Sequence, residues 1–276
     1  METFSVRDRL RIGPRVILAA YAAWCVFPVY WLVSTSLKAE IDVVTRTPTF
    51  LFWPTFHNYI QVLTDASILR FLRDSLVVGL GTTIFGLLIG VPAAYVLARF
   101  PFRGSRDVAF WILSTRFTPP MAMLIPFFVI FYQTGLLGTY AGLIIAHLGV
   151  NLSMIIWLMR SFFRDLPRDI EDAARIDGAT HLQIFTLIML PLARPGIAAA
   201  AILTFLFSWN EFLFSLVLGG GSLVTIPVGL YKFIGYQQID WGKLSAGAVV
   251  MTGPVILFFL LLQRHLIRGL TFGAVK

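Results

Sequence analysis

The sequence predicts an all-α integral membrane protein with six transmembrane helices and both termini in the cytoplasm. Three observations carry that prediction. Of 276 residues, 58% are hydrophobic and only 13% charged, whereas soluble domains run near 25% charged. The charges also cluster. Uncharged runs of 22 residues separate Arg15 from Lys38, 24 separate Asp74 from Arg99, 43 separate Arg116 from Arg160, and 20 separate Lys243 from Arg264. A helix needs roughly 20 apolar residues to cross the bilayer core. Finally, the basic residues are lopsided. Fifteen fall before the first span (Arg7, Arg9, Arg11, Arg15), in one short turn (Arg99, Arg103, Arg106), in segment 160–195 (Arg160, Arg164, Arg168, Arg175, Arg194) and in the tail (Arg264, Arg268, Lys276). Five (Lys38, Arg46, Arg70, Lys232, Lys243) fall in the opposite loops. Basic loops stay in the cytoplasm, which sets the orientation.

Span 1 covers about 15–36, with Pro28 inside it. Its long apolar run ends without a small-x-small cleavage pattern, so it reads as a retained span rather than a signal peptide. A polar outer loop covers 37–70. Span 2, about 74–98, carries Gly86 and Gly90, a small-xxx-small face on which a second helix packs closely. Span 3, about 108–133, is broken near Thr118-Pro119-Pro120. Span 4 covers about 139–159, and a charged cytoplasmic segment covers 160–195. Span 5 is about 196–218, an outer loop opening with Gly219-Gly220-Gly221 covers 219–243, span 6 is about 244–263, and a cytoplasmic tail covers 264–276. Linkers and repeats are lacking, so residues 1–276 read as a single permease domain. The net charge of +8 sits beside apolar spans, which points to membrane orientation and away from nucleic acid. Cys25 is the single cysteine, so no intrachain disulfide is available.

The informative stretch is Glu171-Asp172-Ala173-Ala174-Arg175-Ile176-Asp177-Gly178-Ala179-Thr180, running on to Ile188-Met189-Leu190-Pro191. It predicts two short helices joined at an elbow. Ile170, Ala173 and Ala174 share one face at i, i+3, i+4, with the acids opposite. Asp169, Glu171 and Asp172 occupy the first turn, where negative charge suits the helix dipole. Gly178 is placed for the left-handed conformation past a helix end. Thr180 then caps a second helix with Leu182, Phe185 and Met189 on one face. A small-faced helix held in a loop between spans suits docking into a groove on another protein.

This stretch resembles the EAA…G…I-LP loop of binding-protein-dependent ABC importer permeases. Ala173 and Ala174 match the alanines, Gly178 the glycine, and Ile188, Leu190 and Pro191 the distal part. Asp172 stands at the acidic position, with Glu171 just before it, so the acidic role belongs to one or the other. Trp209-Asn210-Glu211-Phe212, Pro119-Pro120 and the ending Arg268-Gly269-Leu270-Thr271-Phe272-Gly273-Ala274-Val275-Lys276 resemble the carbohydrate family, in particular its smaller maltose-transporter-type subunit. The resemblance implies a type I ABC importer permease architecture in the inner membrane of a prokaryote. It implies a heterodimer with a second related permease, two copies of a cytosolic ABC ATPase, an external solute-binding protein and a carbohydrate substrate. The coupling residues would be Glu171, Asp172, Ala173, Ala174, Asp177 and Gly178. No cofactor is expected on this chain, and ATP and Mg would belong to the ATPase. The residues agree: a phosphate loop needs GxxxxGK[ST], but Gln237 and Leu244 break that pattern around Gly242-Lys243.

Glu211 is the single acid well inside a predicted span. Such a group usually faces a cavity or a partner, so with Asn210 it forms either a wall of the translocation path or a structural interhelical bond. Arg116, beside the Pro119-Pro120 break, faces the path, pairs with Glu211 or snorkels to the interface. His147 and Asn151, at i, i+4, share a face that either lines the path or bonds a neighbouring helix. The four histidines are too scattered for a metal site, and none is expected. Tyr231, Tyr236 and Trp241, in the last outer loop, are placed to meet the binding protein. The tail 269–276 is implied to touch the ATPases. Other cargoes in the same class are a polyol or glycerol phosphate. A secondary transporter would need matching broken helices in two halves, and only span 3 reads as broken. An intramembrane enzyme would need a nucleophile–base pair, and Ser153 and His147 point to different faces.

Overall fold

The computed structural model describes residues 6–45, 47–100, 102–235 and 239–272, with side chains except in 6–13, at 232 and in 264–272. Among these residues the structure is helical; its β pairing is one isolated bridge, Ile234 to Ile239. Four helices are individually long and apolar enough to cross a membrane, at Pro14–Ser36, Ala66–Arg99, Tyr140–Asp165 and Trp241–Gln263. Two bent pairs would bring the number to six. Ser105–Phe117 joins Pro120–Thr134 at 95°, and His181–Leu192 joins Arg194–Trp209 at 73°. The first bend is the expected Thr118-Pro119-Pro120 break.

The chain divides into two compact units, one up to Ala66 with Leu230–Thr252 and the other Ser67–Gly229 with Gly253 onward. The first holds α1 (Val6–Ser36), α2 (Glu40–Val43) and α3 (His57–Thr64). Asn58 Nδ2 donates to the carbonyls of Ser36 and Lys38 at 3.0 and 2.9 Å, tying α3 to the end of α1. The most apolar stretch of α1 has no residue buried.

The second unit holds α4 (Ala66–Arg99, from its second residue), α5 (Ser105–Ser114, prolonged by a 3-10 turn Thr115–Phe117), α6 (Pro120–Thr134) and α7 (Tyr140–Asp165). It continues with α8 (Asp169–Ile176), α9 (His181–Gln183), a π-helical turn Ile184–Met189, α10 (Leu190–Leu192), α11 (Arg194–Trp209) and α12 (Leu213–Leu218). The helices α13 (Ile226–Leu230) and α14 (Trp241–Phe272) are divided between the units.

The glycines of α4 act as expected. A Cβ built on Gly86 would lie 2.7 Å from Ile155 Cδ1, and one on Gly90 2.7 Å from Ile155 Cγ2. That near-contact brings α4 and α7 together around one core, in which Val91, Tyr95, Ile155, Met159, Phe163, Ala174, Ile184 and Met189 are buried.

Several predicted boundaries move. The outer loop expected over 37–70 ends at Asp65, because α4 begins at Ala66. Segment 160–195 opens inside α7, which runs to Asp165. The helix expected over 196–218 is interrupted: α11 stops at Trp209, and α12 starts at Leu213. Loop 219–243 contains α13 and a 3-10 turn Tyr231–Phe233, and Trp241 is already the first residue of α14. The backbone of α14 continues into the expected tail as far as Phe272; residues 273–276 lie outside the described residues.

Candidate functional site

The elbow after α7 is built as the sequence implies. Leu166 takes extended geometry, Pro167 follows, and α8 begins at Asp169 with Asp169, Glu171 and Asp172 in its first turn. Gly178 has φ +83°, with no atom within 4 Å of a built Cβ. Its requirement is therefore conformational rather than steric. Thr180 and Gln183 form a reciprocal capping box at the start of α9, which satisfies two otherwise orphan backbone donors.

The small face expected to dock on a partner is divided, and one of the acids expected opposite it turns inward. The buried residues of α8 are Glu171 and Ala174, while Ile170 and Ala173 are exposed. Glu171 lies under α8 against α4. Its Oε1 is 2.6 Å from Arg99 Nε as an ion contact rather than an aligned hydrogen bond, and Tyr95 Oη donates to its Oε2 at 3.1 Å. The side chains of Arg99 and Glu171 are 4% and 3% exposed, so this pair is desolvated. Arg99 Nη2 also donates to the Leu166 carbonyl at 2.9 Å. A single arginine thereby fixes both the elbow and the helix. Asp172 is exposed and pairs with Arg175 at 2.8 Å. Of the two candidate acids, Glu171 faces its own chain and Asp172 faces outward. Asp172, Ala173, Ile176, Asp177 and Gly178 form the outward surface, and Ile176 is 87% exposed.

Of the face expected on the second helix, Met189 is buried and Phe185 packs against the same core, its ring 4.9 Å from that of Tyr95, while Leu182 departs from it. Ile184 and Met189 are fully buried, five residues apart, whereas Leu182 is exposed. The π-helical turn Ile184–Met189 aligns Ile184 with Met189, because i→i+5 bonding puts residues five apart on one face.

A second cluster lies where α5 breaks and α11 ends. Arg116, Thr118, Pro120, His147, Val150, Asn151, Phe207, Glu211 and Phe214 line a cavity of about 310 Å³. Four of the five predicted path residues are thus brought together. Asn210 is the exception. It is exposed, and its Nδ2 donates back to the Leu206 carbonyl at 2.8 Å, closing the end of α11. His147 and Asn151 share a face as expected, with Asn151 Nδ2 bonded to the His147 carbonyl at 2.9 Å. Arg116 does not pair with Glu211. Its Nη1 donates to the Val150 carbonyl at 3.3 Å, and its guanidinium stacks 4.7 Å over Phe207.

Glu211 instead caps α12. It accepts from the Phe214 and Ser215 amides at 2.8 and 3.0 Å and from Ser215 Oγ at 3.2 Å, and negative charge there complements the helix dipole. Its Oε2 is 3.3 Å from His147 Nε2, while His147 Nδ1 bonds Ser208 Oγ at 2.6 Å. The order Ser208–His147–Glu211 is that of a nucleophile, base and acid. Ser208, however, is buried and does not line the cavity. The three act as a polar lock between α7 and the α11–α12 break. The break frees backbone groups that only a cavity or protein partners can satisfy inside a membrane.

Asp74 was missed. It is 1% exposed and accepts from Tyr140 Oη at 2.6 Å and from Arg73 Nη2 at 3.0 Å, and more weakly from the Val224 amide at 3.4 Å. Arg70 Nη2 donates to the Ser222 carbonyl. Together they pin the glycine-rich loop to α4. The only advance signal was an acid at the margin of an apolar run.

In the first unit, Trp31, Lys38, Asp42, Thr49, Trp241 and Ser245 are among the residues lining a cavity of about 670 Å³. The Lys38 ammonium lies 4.3 Å over the Trp31 ring. Desolvation holds it below the usual lysine range, and the charge of Asp42 opposes that shift. Tyr231 and Trp241 are both exposed, and Tyr236 lies outside the described residues. Among the described residues no group of three or more His, Cys, Asp or Glu is placed to hold a metal ion.

Comparison with known proteins decides what carries this geometry. Residues 86–272 match the family described as binding-protein-dependent transport system inner membrane component. The chain belongs to this family. It is therefore the membrane component of an ABC importer rather than an enzyme. This permease is 37% identical over 256 residues to the trehalose transport system permease protein SugB of Mycobacterium tuberculosis, covering 92% of this chain and 93% of that one. It is 31% identical to the trehalose/maltose transport system permease protein MalG of Thermococcus litoralis, covering 91% and 92%. A solved chain from a bacterial ABC transporter that imports the acidic polysaccharide alginate superposes with a TM-score of 0.77 at 26% identity, covering 96% of this permease and 99% of that chain.

Proposed function

We propose that this permease forms half of the translocation path of an ATP-driven carbohydrate importer, working as one domain that crosses the membrane six times with both termini in the cytoplasm. The observation that carries the reading is α8. It is clamped to α4 through Glu171 and Arg99 and turns Asp172, Ala173 and Ile176 outward. In this reading the outward face sits in a groove on a cytosolic ABC ATPase, where ATP and Mg are held. Closure of the ATPase pair moves α8, and Arg99 passes the movement to α4. The ATPase must bind the two permease states unequally, or ATP could not shift them.

A second, related permease completes the path, and an external solute-binding protein delivers cargo near Tyr231 and Trp241. The cavity at Arg116, His147, Asn151 and Glu211 forms part of the path wall. Carbohydrate cargo rests on the relatives whose names specify trehalose, maltose and diacetylchitobiose. Reconstitution into vesicles with the second permease, the ATPase and the binding protein tests the reading. Oligosaccharide-stimulated ATP hydrolysis is expected. Hydrolysis indifferent to sugars but stimulated by another solute would overturn the cargo assignment.

A further inference from the structure

Outside the sites already described, the second unit contains a cavity of about 540 Å³ lined by Leu97, Ala98, Ser105, Arg106, Arg160, Arg164 and Arg168. Four arginines converge from three places: the first turn of α5, the last turns of α7, and the residue preceding α8. Among the described residues no acid lines the cavity. The neighbouring acids Asp107, Asp165 and Asp169 stay outside it, and among the described residues none of the four arginines forms an ion pair. Arg160 and Arg164 stand at i, i+4, where like charges repel. Arg160 Nε is partly engaged, donating to the Leu97 carbonyl at 3.3 Å. Arg106, Arg164 and Arg168 are exposed and Arg160 is half-buried; a concave cluster of unpaired guanidiniums suits an anion, and the forked guanidinium matches a phosphate bidentately.

We propose that this cavity is a phosphate site and that its occupant is the headgroup of an anionic phospholipid. Leu97 and Ala98 supply an apolar wall. Phe110, at i+4 from Arg106 on α5, is 69% exposed, and offers an apolar track for an acyl chain beside the charged head. Basic pockets between spans on the cytoplasmic side suit such headgroups. The proposal rests on the orientation given above, which puts this end of α4 and α7 at the inner leaflet. The site adjoins the coupling helix directly, since the Arg168 carbonyl accepts from the Glu171 and Asp172 amides at 2.9 and 3.1 Å. A bound headgroup thereby steadies the start of α8.

The test is native mass spectrometry of the protein extracted from vesicles of equal parts phosphatidylglycerol and phosphatidylcholine. The wild-type chain is expected to retain phosphatidylglycerol selectively. Arg106→Gln with Arg164→Gln is expected to retain at least about tenfold less, for the loss of charge-assisted bonds. Millimolar inorganic phosphate is expected to leave retention unchanged. If the double variant fails to insert, Arg106→Gln alone is read, and lower retention is again expected. Equal retention in wild type and variant, or equal retention of phosphatidylcholine, overturns the proposal. Loss of the lipid to inorganic phosphate would instead make a free anion the occupant. Unchanged lipid with loss of the ATPase from the variant would make it an acidic protein surface. Lipid is counted on this chain whether or not an ATPase accompanies it, so failure of the importer reading would be scored separately.

Discussion

Glu171→Ala is the sharpest perturbation of the coupling helix. It removes the carboxylate that lies 2.6 Å from Arg99 Nε and accepts from Tyr95 Oη, and both acid and arginine are almost wholly buried. Removing one partner of a buried pair costs about 3–5 kcal/mol because the other charge is left uncompensated. Little else holds α8: it has eight residues, and besides Glu171 only Ala174 is buried. The loss therefore falls on docking of α8 rather than on the whole fold. As an opening equilibrium it amounts to about a hundredfold or more. Hydrogen exchange of the amides at 172–179 reads that equilibrium directly, and should lose protection by that factor while α4 and α7 keep theirs. Replacing both partners by apolar residues is often neutral, so Arg99→Met with Glu171→Met should recover most of the protection. Asp172→Ala, which breaks an exposed pair, should change it by less than about threefold. Equal effects of Glu171→Ala and Asp172→Ala, or protection unchanged by Glu171→Ala, would refute this reasoning.

Other variants probe the remaining contacts. Gly90→Val drives a side chain into Ile155 and should destabilise the protein by about 1–3 kcal/mol; Ile155→Ala should relieve part of that in a thermal melt in detergent. His147→Ala strands buried Ser208 and removes the partner of Glu211, at about 1–3 kcal/mol; a melt indistinguishable from wild type would refute the polar lock. Asp74→Asn weakens the clamp on loop 219–226, and limited proteolysis should then cut near Gly219–Ser222 sooner than in wild type.

The local signals were legible because each has a local cause. Gly178 takes the left-handed conformation beyond a helix end, Thr180 caps the next helix, and Gly86 with Gly90 accepts Ile155. The departures arise from contacts distant in sequence or from irregular backbone that no residue type marks. Pattern reasoning turns acids toward solvent, yet Glu171 turns inward because Arg99, distant in sequence, meets it there. A 3.6-residue period puts Leu182 on one face with Phe185 and Met189, but Ile184, aligned with Met189 by the π-helical turn, takes the buried position instead. Glu211 was placed within a span because neither proline nor glycine marks the break between Trp209 and Leu213; the capping role became visible only with the amides of Phe214 and Ser215 in place. Of the three outcomes open for Arg116, it lines the cavity and meets a carbonyl and an aromatic ring rather than pairing with Glu211. The corrections also change which variants are informative. Arginine at Ala174 would dislodge α8 from its own unit, whereas Ala173 is exposed and probes the partner alone.

That exposed position gives the most direct measurement of coupling. Tagged wild-type permease and Ala173→Arg are purified in mild detergent, co-purifying chains are identified by mass, and the eluates are assayed for ATPase activity. Wild type should bring down a second permease and two copies of an ABC ATPase. The Ala173→Arg variant should insert normally and retain the second permease, but lose the ATPase. An ATPase held equally by both proteins would contradict coupling through α8, and wild type recovered without any ATPase would contradict the importer mechanism itself.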